Sequence, residues 1–99
     1  MQPRESSAAV RLVLFTKAGC EKCDYVKKHV ASEKLMVPEY IDVATPQAMA
    51  EMGLYDVPLD SPLPVLAIDD STKPIVVGGT GCERPATLIV DKLRELPRQ

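Results

Sequence analysis

Tryptophan is absent, phenylalanine occurs once and tyrosine three times. A chain so poor in aromatics offers no platform on which unpaired bases could stack. An excess of one charge is lacking too. Twelve lysines and arginines stand against fourteen aspartates and glutamates, a net charge of −2, with the two signs interspersed. That leaves no basic stripe for nucleic acid and no polybasic patch for an anionic membrane. No apolar run approaches the ~20 residues that a membrane-crossing helix needs. The start, MQPRESSAAV, has no apolar stretch behind a basic end, so it does not read as a secretory leader and a cytoplasmic location is expected. Cysteines number three. An odd count argues against a framework of structural disulfides, which a reducing compartment would not preserve.

What is present is a globular balance, 45% hydrophobic and 26% charged. The 99 residues fit one domain, and a chain of this size buries roughly two-thirds of its unfolded surface, enough to fold without covalent staples. Residues 1–9 are polar and read as a disordered tail; 10–97 form the expected domain. RLVLFTK (11–17) has the composition of a buried strand. After the Ala-Gly interruption at 18–19, a helical pattern runs from Cys20 to Glu33. In it Cys23, Val26 and Val30 form an inward stripe, and Lys22, Lys27, Lys28 and Ser32 face water, with His29 also solvated. MVPEYIDV (36–43) alternates as a second strand, its start near an edge because of Pro38. TPQAMAEMG (45–53) predicts a short helix with Thr45 as cap, Pro46 in the first turn and Gly53 as the stop. LPVLAIDD (63–70) and PIVV (74–77) are close enough for an antiparallel hairpin. The last helix spans 84–96, with Ala86, Ile89, Val90, Leu93 and Leu96 as its apolar face and cations toward its end. The order is β-α-β-α-β-β-α. Its βαβ half makes two parallel neighbours, and the hairpin extends a four-stranded mixed sheet with helices on both faces.

Chemistry concentrates in TKAGCEKCDYVKKHV (16–30), where Cys20 and Cys23 stand three apart at a strand-to-helix junction. Such a pair can be a metal clamp, a structural staple or a reversible redox couple. Residues three apart on a helix have Cβ atoms about 5–6 Å apart, and a disulfide needs about 3.5–4.5 Å, so a small adjustment closes the bond. The unpaired N–H groups and dipole of a helix start favour an anionic sulfur. Such placement draws a cysteine from its ordinary pKa of about 8.5 toward about 7. Lys17 and Lys22 act in the same direction, and Glu21 against it. Cys20, first on the helix, is the expected attacking thiol, and Cys23 the resolving one. A zinc site within the chain is disfavoured. Four ligands are needed, and His29 lies six residues past Cys23, about 9 Å along the helix. No metal ligands are assigned.

Strand-then-KAGCEKC (17–23), the proline in SPLPV (61–65), the glycine pair at 78–79 and the closing amphipathic helix resemble the thioredoxin-like superfamily, specifically the small glutaredoxins. The resemblance spans about residues 10–96. It implies a thioredoxin-like fold and a dithiol–disulfide oxidoreductase acting through Cys20 and Cys23. No bound cofactor is implied, with glutathione as a co-substrate. It places a cis proline at Pro64, or at Pro62, facing the cysteines, so that the backbone of Leu63 pairs with an extended substrate. Gly78 and Gly79 form a turn or admit a substrate backbone closely. Cys82 is either a small buried residue or a third thiol lining the same groove. The expected partners are a disulfide-containing protein or small molecule, with glutathione or a flavoprotein reductase as electron donor; the protein is expected to act as a monomer. Two departures stand out. Glu21 and Lys22 replace the family's usual proline and aromatic, and TGCE (80–83) follows the glycine pair where polar anchors for glutathione are usual. Weak glutathione binding is the implied consequence. Carriage of an iron–sulfur cluster shared between two chains, or binding without turnover, are the rival functions.

Overall fold

We describe residues 10–69, 74–79 and 83–96 of a computed structural model. The expected tail, 1–9, and Cys82 lie outside the described residues. Seven elements follow in order: β1 (Arg11–Thr16), α1 (Glu21–Glu33), β2 (Glu39–Asp42), α2 (Pro46–Leu54), β3 (Val65–Asp69), β4 (Ile75–Gly78) and α3 (Pro85–Glu95). The strands form one mixed sheet in the order β2-β1-β3-β4. β1 runs parallel to β2 and antiparallel to β3, and β4 closes the hairpin antiparallel to β3. The α/β class, the strand count and the element order agree with the expectation from sequence.

β1 holds the centre. Its residues from Leu12 to Phe15 are all at most 4% exposed, which is why the sequence there is a continuous apolar run rather than an alternating one. Leu12 and Leu14 join Leu66 and Ile68 against Val26 and Val30 of α1 and Ile89, Val90 and Leu93 of α3. Val13 and Phe15 face the other way, joining Ile41, Val65 and Ala67 against Ala48 and Met52 of α2. Two helices therefore cover one face and one helix the other. Each of these fully buried large side chains contributes about 1.5–3 kcal/mol relative to exposure.

Local chemistry sets the element ends. In α2 the Thr45 hydroxyl accepts from the Ala48 N–H at 3.3 Å, and the Asp42 carboxylate accepts from the Ala44 N–H at 2.8 Å, making the turn out of β2. Gly53 does not stop this helix. The helix continues to Leu54, and the left-handed residue after it is Asp56, with φ 57°. The buried Tyr55 anchors the end from tertiary packing, which a glycine signal cannot report. α1 ends at Lys34, also left-handed, whose N–H bonds to the Val30 carbonyl. β2 is shorter than the alternating stretch 36–43, since only residues 39–42 pair with β1.

Two ionic clusters tie elements together. Arg11 donates to both Glu51 oxygens at 2.9 Å and to Glu39 Oε1 at 3.1 Å, binding α2 to the sheet. The Tyr55 hydroxyl donates to Asp69 Oδ2 at 3.0 Å. Its pKa is raised, first by burial and then by that carboxylate. On the other face Arg94 of α3 donates to Glu33 of α1 at 2.7 and 2.9 Å. His29 Nδ1 lies 2.8 Å from Glu33 Oε2, and its ring sits 4.4 Å from that of Tyr25. His29 is therefore half-buried and engaged, not simply solvated as its helical position suggested.

Arg94 and His29 hold the Glu33 carboxyl at about 2, below its ordinary 4.5. A depressed carboxylate pKa contributes stability that is complete above the unfolded value and lost as pH falls through the folded one. The melting temperature of Glu33→Gln should accordingly lie below that of the native chain at pH 7. The gap should close as pH falls from about 4.5 toward about 2, which a pH series of thermal melts reads directly.

Candidate functional site

β1 delivers the chain at its C-terminal end into the turn 17–19, where Gly19 has φ 72° and Lys17, Ala18 and Gly19 are exposed. The next residue, Cys20, is the N-cap of α1, in extended backbone (φ −94°, ψ 106°). Cysteine is an uncommon cap, yet its Sγ accepts from the Cys23 N–H at 3.1 Å, as a serine oxygen would. Cys20 and Cys23 are disulfide-bonded, with Cα atoms 5.2 Å apart, inside the range such a bond requires. The sulfurs expected to form a couple are thus together at a helix start.

Their burial differs in a way that matters chemically. Cys23 is fully buried and Cys20 retains 8% of its surface. Cys20 is less open than its position first on the helix suggests. Exchange requires in-line approach to a sulfur, and only Cys20 presents any surface for it. The first turn of α1 also carries Glu21 and Asp24. They are well placed for the helix dipole and badly placed for a neighbouring anionic sulfur.

Beside the pair is a cleft of about 340 Å³ between the starts of α1 and α3, lined by Glu21, Lys22, Tyr25, Arg84, Pro85 and Ala86 among others. Its volume lies at the low end of small-molecule sites. The two residues between the cysteines form one wall; neither cysteine lines it. Two acids, Glu21 and Glu83, and two bases, Lys22 and Arg84, surround it, so it has no strong preference for one charge.

Leu63 and Pro64 precede the first residue of β3. Val65 pairs with Phe15, which puts Pro64 at the same sheet end as Thr16 and the turn to Cys20. The Leu63–Pro64 bond is cis, whereas no cis bond occurs at Pro62. Leu63 packs against the α2-side core. Gly78 and Gly79 have φ 97° and 87°. A Cβ on Gly78 would meet the Pro64 carbonyl at 2.8 Å. The close backbone approach served by Gly78 is thus to the chain's own proline loop. Gly78 and Gly79 line a second pocket rather than the cleft beside the cysteines. Cys82 lies outside the described residues, between Gly79 and Glu83.

Among the described residues no cluster of three or more His, Cys, Asp or Glu is arranged to hold a metal ion, and no helix is long and apolar enough to cross a membrane. No family model, curated protein or solved structure matches the chain.

Two outcomes follow from this geometry. Gly78→Ala should lower stability by about 2 kcal/mol, since the added carbon forces the proline loop apart in a backbone region that alanine resists; denaturant titration measures it. Glu21→Gln removes a charge beside the couple. The reduced variant should react with iodoacetamide at pH 7 about two- to fivefold faster than the native dithiol, as one nearby charge at effective solvent screening is worth under about 1 kcal/mol.

Proposed function

We propose that the chain is a dithiol–disulfide oxidoreductase with a thioredoxin-like fold, of the glutaredoxin-like kind. The observation that carries this reading is the Cys20–Cys23 bond at a helix N-cap, with Cys23 sealed and Cys20 keeping a small residual surface. Pro64 at the same end of the sheet, and a mixed sheet in β2-β1-β3-β4 order, support it.

The reaction starts from the dithiol. The Cys20 thiolate attacks one sulfur of a partner disulfide, forming a mixed disulfide and releasing the partner's other sulfur as a thiolate, which takes up a proton. Cys23 then loses its proton and attacks the Cys20 sulfur, expelling the partner's second thiolate. Two electrons have passed to the partner, and the protein holds the Cys20–Cys23 bond. The dithiol is restored by an external thiol such as glutathione, or by a flavoprotein reductase. The Cys23 N–H, already directed at Cys20 Sγ, is placed to donate to the thiolate at the start and end of this cycle, and the α1 dipole acts in the same sense. Glu21 and Asp24 oppose it, which moderates the oxidising strength of the couple.

The working substrate surface is the cleft flanked by Glu21 and Lys22, and its mixed charges suit a disulfide carrying both a cation and an anion near its sulfurs. Trapping tests the order of attack. Cys23→Ser should accumulate a mixed disulfide through Cys20 that is visible by intact mass, while Cys20→Ser should yield at most a tenth as much. Equal trapping by the two variants would reverse the roles, and none from either would remove the activity.

A further inference from the structure

The face of the sheet covered by α2 leaves β4 bare. Val76 lies on that face, opposite Ala67, and is 41% exposed. β4 is the last strand in the sheet, so among the described residues its outer backbone edge has no strand partner. Next to it the loop after α2 folds back to form a pocket of about 220 Å³, with walls from Val57, Pro58, Val65 and Val76.

Two polar residues line the same pocket, Asp56 and Ser61. Ser61 is 8% exposed and its hydroxyl is buried with no hydrogen-bond partner, an arrangement that native proteins seldom keep without a use. Asp56 is exposed at the mouth. It follows directly on the C-terminal end of α2, where the helix dipole is itself negative. Helix end and carboxylate therefore add, and both favour a cation. The apolar walls suit an unbranched aliphatic stem, and a hydroxyl oxygen plus a carboxylate suit the three donors of an ammonium group.

We propose that this pocket takes the lysine side chain of an extended segment of a protein partner, whose backbone pairs with the free edge of β4. The stem lies along the three valines, and the ammonium is shared by Ser61 Oγ and the Asp56 carboxylate. Gly78 and Val65 place the pocket at the sheet end that also holds the turn to Cys20. A segment added outside β4 lies three inter-strand spacings, about 14 Å, from β1. If the partner is the disulfide substrate, a point that rests on the exchange reading above, its lysine lies at least about four extended residues from the attacked cysteine.

A cysteine-free probe separates the two proposals. Isotope-labelled oxidised protein is titrated with a capped peptide of alternating threonine and valine bearing one central lysine. Amide shifts should concentrate on residues 56–61 and 75–79. Replacing the lysine by norleucine should weaken binding about fivefold or more. Asp56→Asn, which tolerates the left-handed backbone, should bring the two peptides within twofold of each other. Ser61→Ala should weaken the lysine peptide about threefold while melting at the same temperature or higher, because an unpaired buried hydroxyl is removed. Shifts centred elsewhere, no binding at millimolar peptide, or equal binding of the norleucine peptide would overturn this proposal. None of these results bears on thiol exchange, which the trapping variants test.

Discussion

The structure depends on β1 being buried on both faces. A strand covered by α1 and α3 on one side and α2 on the other has no freedom to slip, since a one-residue shift would send Leu12 and Leu14 to the wrong core. Its register with β2 and β3 is thereby fixed, and so is the point at which the chain leaves the sheet. That point, Thr16, is four residues before Cys20. The position of the sulfur pair relative to the proline loop is a consequence of apolar packing some distance from either.

From this constraint the site acquires its asymmetry. α1 is pinned through Val26 and Val30, and Cys23 lies on the same inward stripe, so it is sealed with them. Cys20 is outside the helix proper, as its cap, and keeps a small surface. One helical turn thus produces a protected sulfur and a reachable one without any specialised residue. The ionic clusters reinforce the same frame. Arg94 and Glu33 join α1 to α3 near their C-terminal ends, and Arg11 with Glu51 ties α2 to the sheet. Such solvent-screened pairs add little stability, so they orient elements that the core already holds.

The edge of the sheet is organised by a different contact. Gly78 lets β4 approach the Pro64 carbonyl, joining the hairpin to the proline loop, and the loop after α2 closes a pocket on the exposed side of that junction. Among the described residues, a mixed-charge cleft beside the cysteines and an acidic, valine-walled pocket beyond them therefore lie at one end of the sheet. Their chemistries differ because one is built from two helix starts and the other from a helix end.

Sequence alone determined the elements and the sulfur pair. The continuous apolar run of β1, the period of α1 and α3, the Thr45 cap and the spacing of Cys20 and Cys23 are local signals, set by residues within a turn or two of one another. The end of α2 departs from its glycine signal, because Tyr55 is held by packing and by its bond to Asp69 rather than by a nearby glycine. His29 and Arg11 were unreadable for the same reason: their partners are carboxylates whose approach depends on how helices and strands pack. Only tertiary structure decided which cysteine keeps surface, what Gly78 approaches, and that Ser61 is buried without a partner. These are properties of atoms brought together from distant parts of the chain, and pattern in a single sequence carries no record of such meetings.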